Sequence, residues 1–212
     1  MIRHRYVGSD AQQRAAGTTH AVAAARRGEP VLLHADSAYA LCTDAFSERG
    51  VAQLRTLKGS PQMSVPVLIG EIDVIDGLLA LPGPAGQAAR TLIRACWPGP
   101  LTIVGQPHAS LMWAAGGNGT VAVRMPLHPW TLEVVRTLGP TACVGAGRAG
   151  QPAPTTADAA ADMWGEDVHV LLDGGAAPAN QASTVVDVSG AEWRIVREGA
   201  FSADYLRTLL ND

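Results

Sequence analysis

The chain has 212 residues, 47% of them hydrophobic and 17% charged, and carries a formal net charge of −3. That length suits one α/β domain with a sizeable core and is too short for two domains of average size, so residues 1–212 are expected to form a single unit. The charge excludes broad electrostatic binding of nucleic acid while leaving room for a local basic cleft, and no segment matches the run of about 18 apolar residues that a membrane span needs.

In chain order, Asp10 to Arg27 reads as a helix, capped by Ser9 or Asp10 and closed by Arg26-Arg27-Gly28. Pro30 to His34 is a short buried strand, followed by the polar segment Asp36-Ser37-Ala38-Tyr39 and a helix around Ser47 to Leu57. Pro66 to Ile69 is a second apolar strand, and Pro84 to Cys96 a helix stopped by Trp97-Pro98-Gly99-Pro100. Leu101 to Val104 and Thr120 to Arg124 are β-rich, joined through a Gly/Asn loop at Gly116 to Gly119. Helices are expected at Trp130 to Leu138 and Ser202 to Leu210. Strands are expected at Thr141 to Val144, Val168 to Leu172, Thr184 to Val188 and Arg194 to Val196. The elements interleave without a regular βαβ beat, which predicts one mixed, twisted open sheet with helices against it. Gly174 to Ala182 reads as a loop rich in small residues. The N-terminus lacks the apolar region of a signal peptide, and Cys42, Cys96 and Cys143 are odd in number and widely spaced, so a reduced, cytoplasmic setting with three buried thiols is expected.

Sixteen residues are Lys or Arg, and Lys58 is the one lysine among them. A compact ammonium on a flexible stem does what the planar fork of arginine does not, which makes Lys58 a candidate ligand contact. Gly145-Ala146-Gly147-Arg148-Ala149-Gly150 spells the dinucleotide fingerprint G-x-G-x-x-G after an expected strand. That fingerprint needs a helix opening within it to hold a pyrophosphate. Gln151-Pro152-Ala153-Pro154 follows instead, so a glycine-rich loop with a closely approachable backbone is the better reading. The sequence has no P-loop, H-E-x-x-H, C-x-x-C or G-x-S-x-G, and no protein-ligated metal is expected.

Polar groups gather at the ends of apolar strands, where open α/β sheets place their ligands. They are Asp36, Ser37 and Tyr39, then Lys58, Thr102, Arg124, Arg148, Ser183 with Thr184, and Arg197. Cations with hydroxyls and glycine amides, and few carboxylates, suit a polyanionic ligand such as a nucleoside triphosphate or an acyl adenylate.

Four ordered segments carry a resemblance to a known family. They are Trp97-Pro98-Gly99-Pro100-Leu101-Thr102; Val121-Ala122-Val123-Arg124-Met125-Pro126 with His128-Pro129; Ser183-Thr184-Val185-Val186-Asp187; and Arg197-Glu198-Gly199-Ala200. Together they resemble the YrdC/YciO family, whose best-known members are threonylcarbamoyl-AMP synthases, over a core of about 11–210. The resemblance implies a twisted open sheet with a concave, positively lined cleft. It implies ATP bringing Mg²⁺, L-threonine or another small amino acid, and bicarbonate as substrates. The product, a threonylcarbamoyl-adenylate, would feed a tRNA-modifying transferase. Carried over by matching positions, Lys58 and Arg124 would neutralise phosphate or carboxylate charge, and Asp36, Ser37, Tyr39 and Thr102 would position the small substrate. Lys58, Gly145, Gly147, Arg148, Ser183 and Arg197 would line the nucleotide site.

The chain departs from the family pattern at several of these positions. Pro-Thr-Asp-Thr-x-Tyr-Gly-Leu reads His34-Ala35-Asp36-Ser37-Ala38-Tyr39-Ala40-Leu41, Lys-x-Arg reads Lys58-Gly59-Ser60, and Ser-x-Asn reads Gly145-Ala146-Gly147. Asp36 to Leu41 also resembles the YciO branch. A weakened or redirected synthase is therefore expected, with Arg148 as a candidate replacement cation. Two rival readings remain beside it: a non-catalytic module for double-stranded RNA or nucleotide, and a carbamoyl-transferring tailoring enzyme.

Overall fold

The computed structural model describes residues 2–109, 119–178 and 182–211. In chain order these form β1 (His4–Val7), α1 (Ala11–Arg26), β2 (Val31–His34), β3 (Tyr39–Asp44), α2 (Glu48–Leu57) and β4 (Val67–Leu68). A 3-10 turn (Ile72–Val74) leads into α3 (Ile75–Leu78), β5 (Leu79–Ala80), α4 (Gly83–Cys96), β6 (Leu101–Pro107) and β7 (Val121–Arg124). The remainder is α5 (Pro129–Leu138), β8 (Thr141–Gly145), α6 (Ala157–Trp164), β9 (Val170–Asp173), β10 (Thr184–Asp187), β11 (Arg194–Arg197) and α7 (Ala203–Asn211).

The strands join in an 11-stranded sheet of order β1-β9-β2-β3-β8-β4-β7-β6-β10-β11, with β5 alongside β6. Pairing is parallel for β1/β9, β9/β2, β4/β7 and β6/β10, and antiparallel for β2/β3, β3/β8, β8/β4, β6/β7 and β10/β11. The expected mixed sheet is thus the observed one. The five expected helices are present, and Asp10 and Ser47 cap α1 and α2 through their side chains.

The expectation missed β1, β3, α6 and the turn-and-strand segment 72–80. The sheet therefore begins ahead of the core expected from residue 11. β1 is a largely exposed edge strand, His4-Arg5-Tyr6-Val7, with no apolar alternation to betray it. For α6 a signal was present: Thr156 caps the Ala-rich run by accepting from the Ala159 amide at 3.2 Å. Of the Gly/Asn loop expected at 116–119, positions 116–118 lie outside the described residues, as do 179–181 of the loop at 174–182.

Successive strand side chains point to opposite faces, and this period of two divides the core into two layers. One layer joins Leu32, Tyr39, Leu41, Ala142, Val144 and Leu171 to α2, α4, α6 and α7 through Leu54, Leu92, Trp164 and Leu206. The other joins Val31, Leu33, Ala40, Cys42, Cys143, Val170 and Leu172 to α1 and α5 through Ala21, Val22, Trp130 and Val134. β2 lies between helices on both faces, which is why all four of its residues are buried. α1 approaches the sheet closely because Gly17 has no side chain: a Cβ there would lie 2.8 Å from the Tyr6 Cβ and 2.9 Å from the Trp130 ring. α1 and α5 cover the sheet only around β1, β9, β2 and β3. Beyond β3 that cover thins after Cys143 and Leu68, which still pack in the same layer, and Leu68, Thr102, Ala122, Arg124, Cys143, Gly145 and Val185 of β4, β6, β7, β8 and β10 line a concavity.

At the far end of the sheet, the buried Thr184 hydroxyl donates to the Phe201 carbonyl at 2.7 Å and accepts from the Gly199 and Phe201 amides at 3.0 and 2.9 Å. This ties the turn before α7 to β10. Thr184→Val keeps the shape but leaves those partly buried amides unpaired, and should lower the unfolding free energy by about 1–3 kcal/mol in a urea titration.

His34 and His128 stack with ring centroids 4.1 Å apart. Burial holds both below the ordinary histidine value of 6.5, and each cation would also repel the other. His128 Nδ1 accepts from the Thr131 amide at 3.3 Å and so caps α5 as a neutral ring. Both folded-state values are depressed, so the unfolded chain takes up protons first as the pH falls. Stability should therefore be full above pH 6.5 and decline as the pH drops through the folded values. His128→Asn, which can still cap the helix, should flatten that decline in denaturation midpoints measured between neutral and acid pH.

Candidate functional site

The concavity left open by α1 and α5 has a volume of about 410 Å³ and is lined by Ser37, Leu68, Thr102, Ala122, Arg124, Cys143, Gly145, Ser183, Val185 and Arg197, with the 35–40 segment at one end. Leu68, Thr102, Ala122, Arg124, Cys143 and Val185 are the strand residues on the uncovered face, while their chain neighbours Val67, Leu101, Ile103, Val123, Val144 and Val186 are in the opposite core layer. Small residues, Ala122 and Ala40 among them, give the floor its depth. Arg124, Arg197, Thr102 and Ser183 supply its polar groups.

Of the sequence-derived candidates, Ser37, Thr102, Arg124, Gly145, Ser183 and Arg197 meet in this cleft. Thr102 Oγ1 and Ser183 Oγ lie 2.9 Å apart, joined across the parallel β6/β10 pair. Arg197 Nη2 donates to the Ser183 carbonyl at 2.7 Å and to its hydroxyl at 3.3 Å. Arg124 ends β7, partly buried, with Nη1 3.3 Å from an Asp36 carboxylate oxygen and Nη2 3.4 Å from the Ala35 carbonyl.

Asp36 serves the site indirectly. Its backbone is left-handed, with φ of 69°, a conformation that aspartate tolerates better than most residues. Its carboxylate accepts from the Leu127 amide at 3.1 Å and the His128 amide at 2.7 Å, and it faces Arg124. It pins the 124–128 turn and orients Arg124, so the structure places it as a positioning group behind the cleft rather than on its surface.

Tyr39 borders the cleft, yet its hydroxyl is directed away, donating to the Gly175 carbonyl at 2.7 Å and lying 3.4 Å from Asp173 Oδ1. Burial, with Asp173 beside it, pushes the phenol well above its ordinary value. Tyr39, expected to help position the small substrate, is thus at the edge of the cleft with its hydroxyl engaged by Gly175, and is otherwise buried in the core.

Lys58 follows the last turn of α2, and its ammonium donates to the Gly145 carbonyl at 2.9 Å and to the Gly147 carbonyl. Burial lowers its pKa from the ordinary lysine value. Lys58 thus clamps the glycine-rich loop and borders the cleft through Gly145. The loop opens no helix, since α6 begins at Ala157, which removes the dinucleotide reading. Gly147 is buried where a Cβ would lie 2.4 Å from the Gln151 carbonyl oxygen and 2.9 Å from the Ala153 nitrogen, whereas a Cβ at Gly145 would meet only Ala153 Cβ at 3.7 Å.

Arg148 does not line the cleft. Its guanidinium lies 4.1 Å from the centroid of the Trp164 ring, donates to the Met163 carbonyl at 2.7 Å and pairs with Asp167 at 2.8 Å. The proposed replacement cation is therefore turned toward α6. Sequence reasoning also missed Cys143 and Leu68 as cleft-lining residues, because only the sheet order reveals which face of β8 and β4 lies uncovered.

The family model described as "Telomere recombination", that of the Sua5, YciO and YrdC proteins, matches residues 23–199. The chain belongs to the Sua5/YciO/YrdC family. It is 39% identical over 205 residues to a Mycobacterium tuberculosis protein named "Putative threonylcarbamoyl-AMP synthase", covering 95% of this chain and 93% of that one. The solved structure of P. abyssi Sua5 complexed with L-threonine matches with a TM-score of 0.86 at 25% identity, over 99% of this chain but only 61% of that chain. E. coli YciO shares the fold with a TM-score of 0.82 at 17% identity, over 97% of this chain and the whole of the other.

The two loop glycines should respond differently to substitution. Gly145→Ser should leave stability nearly unchanged, whereas Gly147→Asn must displace the 151–153 backbone and should cost about 1–3 kcal/mol, read as a lower thermal midpoint. Equal effects at both positions would show that the loop adopts another path.

Proposed function

We propose that the cleft binds MgATP, bicarbonate and a small amino acid, L-threonine first, and joins them, through a carbamate formed with loss of water, into threonylcarbamoyl-adenylate with release of pyrophosphate. The observation that carries this reading is the convergence of Arg124, Arg197, Thr102, Ser183, Ser37 and the Gly145 backbone on one cavity of about 410 Å³, a size usual for small-ligand sites. The identity to named threonylcarbamoyl-AMP synthase relatives supports it.

The chemistry requires little from the protein beyond positioning and charge. A carbamate oxygen attacks the α-phosphorus in line, the new P–O bond forms as the bond to the pyrophosphate oxygen breaks, and negative charge moves onto the leaving group. Arg124 and Arg197 would offset that charge, and the paired hydroxyls of Thr102 and Ser183 would orient the substrates. Among the described residues no three of His, Cys, Asp and Glu cluster as a metal site; Mg²⁺ enters this scheme as part of the substrate MgATP. The acyl-adenylate product is a reactive mixed anhydride, which a tRNA-modifying transferase would consume.

Ser60, Gly145 and Gly147 stand where the family pattern has Arg, Ser and Asn, so side-chain donors to the anionic ligand are missing. At about 2 kcal/mol for the charged donor and about 1 kcal/mol for each of the others, their loss would slow adenylate formation by about three orders of magnitude against relatives with the full set. The turn that Gly147 makes against Gln151 and Ala153 confines restoration to the other two positions.

Pyrophosphate release from ATP, bicarbonate and each amino acid in turn tests the reading. L-Threonine should give the fastest release, and Arg124→Ala should weaken ATP affinity at least about tenfold in calorimetry while the protein stays folded. The double change Gly145→Ser with Ser60→Arg should raise the rate. No pyrophosphate with any amino acid, together with duplex RNA binding that falls steeply with salt, would replace this reading with a binding module.

A further inference from the structure

Two of the three cysteines face one another across β3 and β8, where Cys143 lines the cleft and Cys42 lies buried beside it. Cys42 on β3 and Cys143 on β8 are directly opposed in the antiparallel register, and their sulfurs are 3.1 Å apart. The Cys143 amide donates at 2.8 Å to the carbonyl of Pro66, just ahead of β4 on its other side, so that amide points away from β3. The two residues are thus a non-hydrogen-bonded cross-strand pair, the arrangement in which Cα atoms approach to about 4.5 Å. That separation lies within the range a disulfide spans, and closing the bond needs the sulfurs to move about 1 Å closer.

Access to the two thiols is unequal. Cys42 is 0% exposed, while Cys143 is 7% exposed and lines the cleft. Cys96, at the end of α4, belongs to the core layer on the opposite face of the sheet and cannot reach either sulfur.

We propose that Cys42 and Cys143 form a redox modification site in which a small hydroperoxide, entering through the cleft, converts the pair to a cross-strand disulfide. Cys143 Sγ attacks the peroxide, the O–O bond breaks, and the departing hydroxide or alkoxide takes up the proton the thiol sheds, giving a sulfenic acid and water or an alcohol. The Cys42 sulfur then attacks Cys143 Sγ, the S–O bond breaks, and the departing hydroxide takes up the Cys42 proton as water. Two thiols are oxidised to one disulfide, one peroxide is reduced, and a dithiol reductant reverses the change. Cys143 alone of the two reaches the cleft, so it is the sulfur that meets the peroxide, and the enclosed Cys42 opposite it is the one placed to resolve. The bond would tie β3, which leads from the Asp36-Ser37 turn, to β8, which ends at Gly145, directly beneath the space a ligand occupies.

The test uses the whole chain without nucleotide, so it stands or falls independently of the proposed function. Intact protein treated with hydrogen peroxide should lose two of its three thiols and the mass of two hydrogens. Digestion should yield one linked peptide pair containing Cys42 and Cys143, with Cys96 still alkylatable and all three thiols restored by dithiothreitol. In Cys42→Ser, a sulfenic-acid probe should label Cys143; in Cys143→Ala, no label should appear at Cys42. Three thiols surviving in the wild type, or oxidation confined to Cys96, would overturn the proposal, as would labelling of Cys42 in Cys143→Ala. The wild-type thiol and mass measurement decides the matter even where a variant fails to fold.

Discussion

One constraint organises the molecule: strand side chains alternate between two faces, and one of those faces is covered across only part of its width. α1 and α5 cover the sheet around β1, β9, β2 and β3 and their layer ends at Cys143 of β8 and Leu68 of β4, leaving a cleft lined by Thr102, Ala122, Arg124 and Val185 of β6, β7 and β10 beyond. The opposite face is covered by α2, α4, α6 and α7 and carries the large apolar residues. Alternation therefore sends Val67, Leu101, Val123 and Val186 into a sealed core while Leu68, Thr102, Arg124 and Val185 look into the cleft. A shift of one residue in any of these strands would exchange the two sets, which is why core packing and site formation depend on a single register.

The charged groups of the cleft are held before any ligand arrives. Arg124 is held by Asp36, which is itself anchored on two backbone amides, and Arg197 is held on Ser183. Such bracing restricts the rotamers of long side chains, so less entropy is lost when an anion binds. Asp36 also partly neutralises Arg124, so that any anion entering the cleft would compete with that carboxylate or share the guanidinium with it. The cleft thus balances preorganisation against attraction, with Arg197 as its more exposed cation.

The glycine-rich loop is one mechanical unit. Lys58 grips the Gly145 and Gly147 carbonyls from α2, and Trp164 Nε1 donates to the Ala146 carbonyl from α6. The close passage of Gly147 against Gln151 and Ala153 leaves no space for a side chain. The departures from the family pattern at 145 and 147 are therefore coupled to the path of the whole loop. Arg148 is part of the same arrangement, stacked on Trp164 and paired with Asp167.

The sequence by itself determined the α/β class, the mixed character of the sheet, the longer helices with their caps, and the family, because these rest on local periodicity and on ordered motifs readable along the chain. It also singled out Ser37, Thr102, Arg124, Ser183, Gly145 and Arg197, since polar residues at strand ends stand out against apolar runs. The tertiary structure alone decided which candidates share a cavity. Tyr39 and Arg148 carry the same chemistry in sequence whether or not they face the cleft; the first directs its hydroxyl to Gly175 and the second stacks on α6. Lys58 proved a clamp on the loop and Asp36 a brace for Arg124, because hydrogen-bond partners more than 80 positions away along the chain set both roles. The pairing of Cys42 with Cys143, 101 residues apart, required β3 and β8 to be neighbours in the sheet. Strand order is a long-range property that no local pattern encodes.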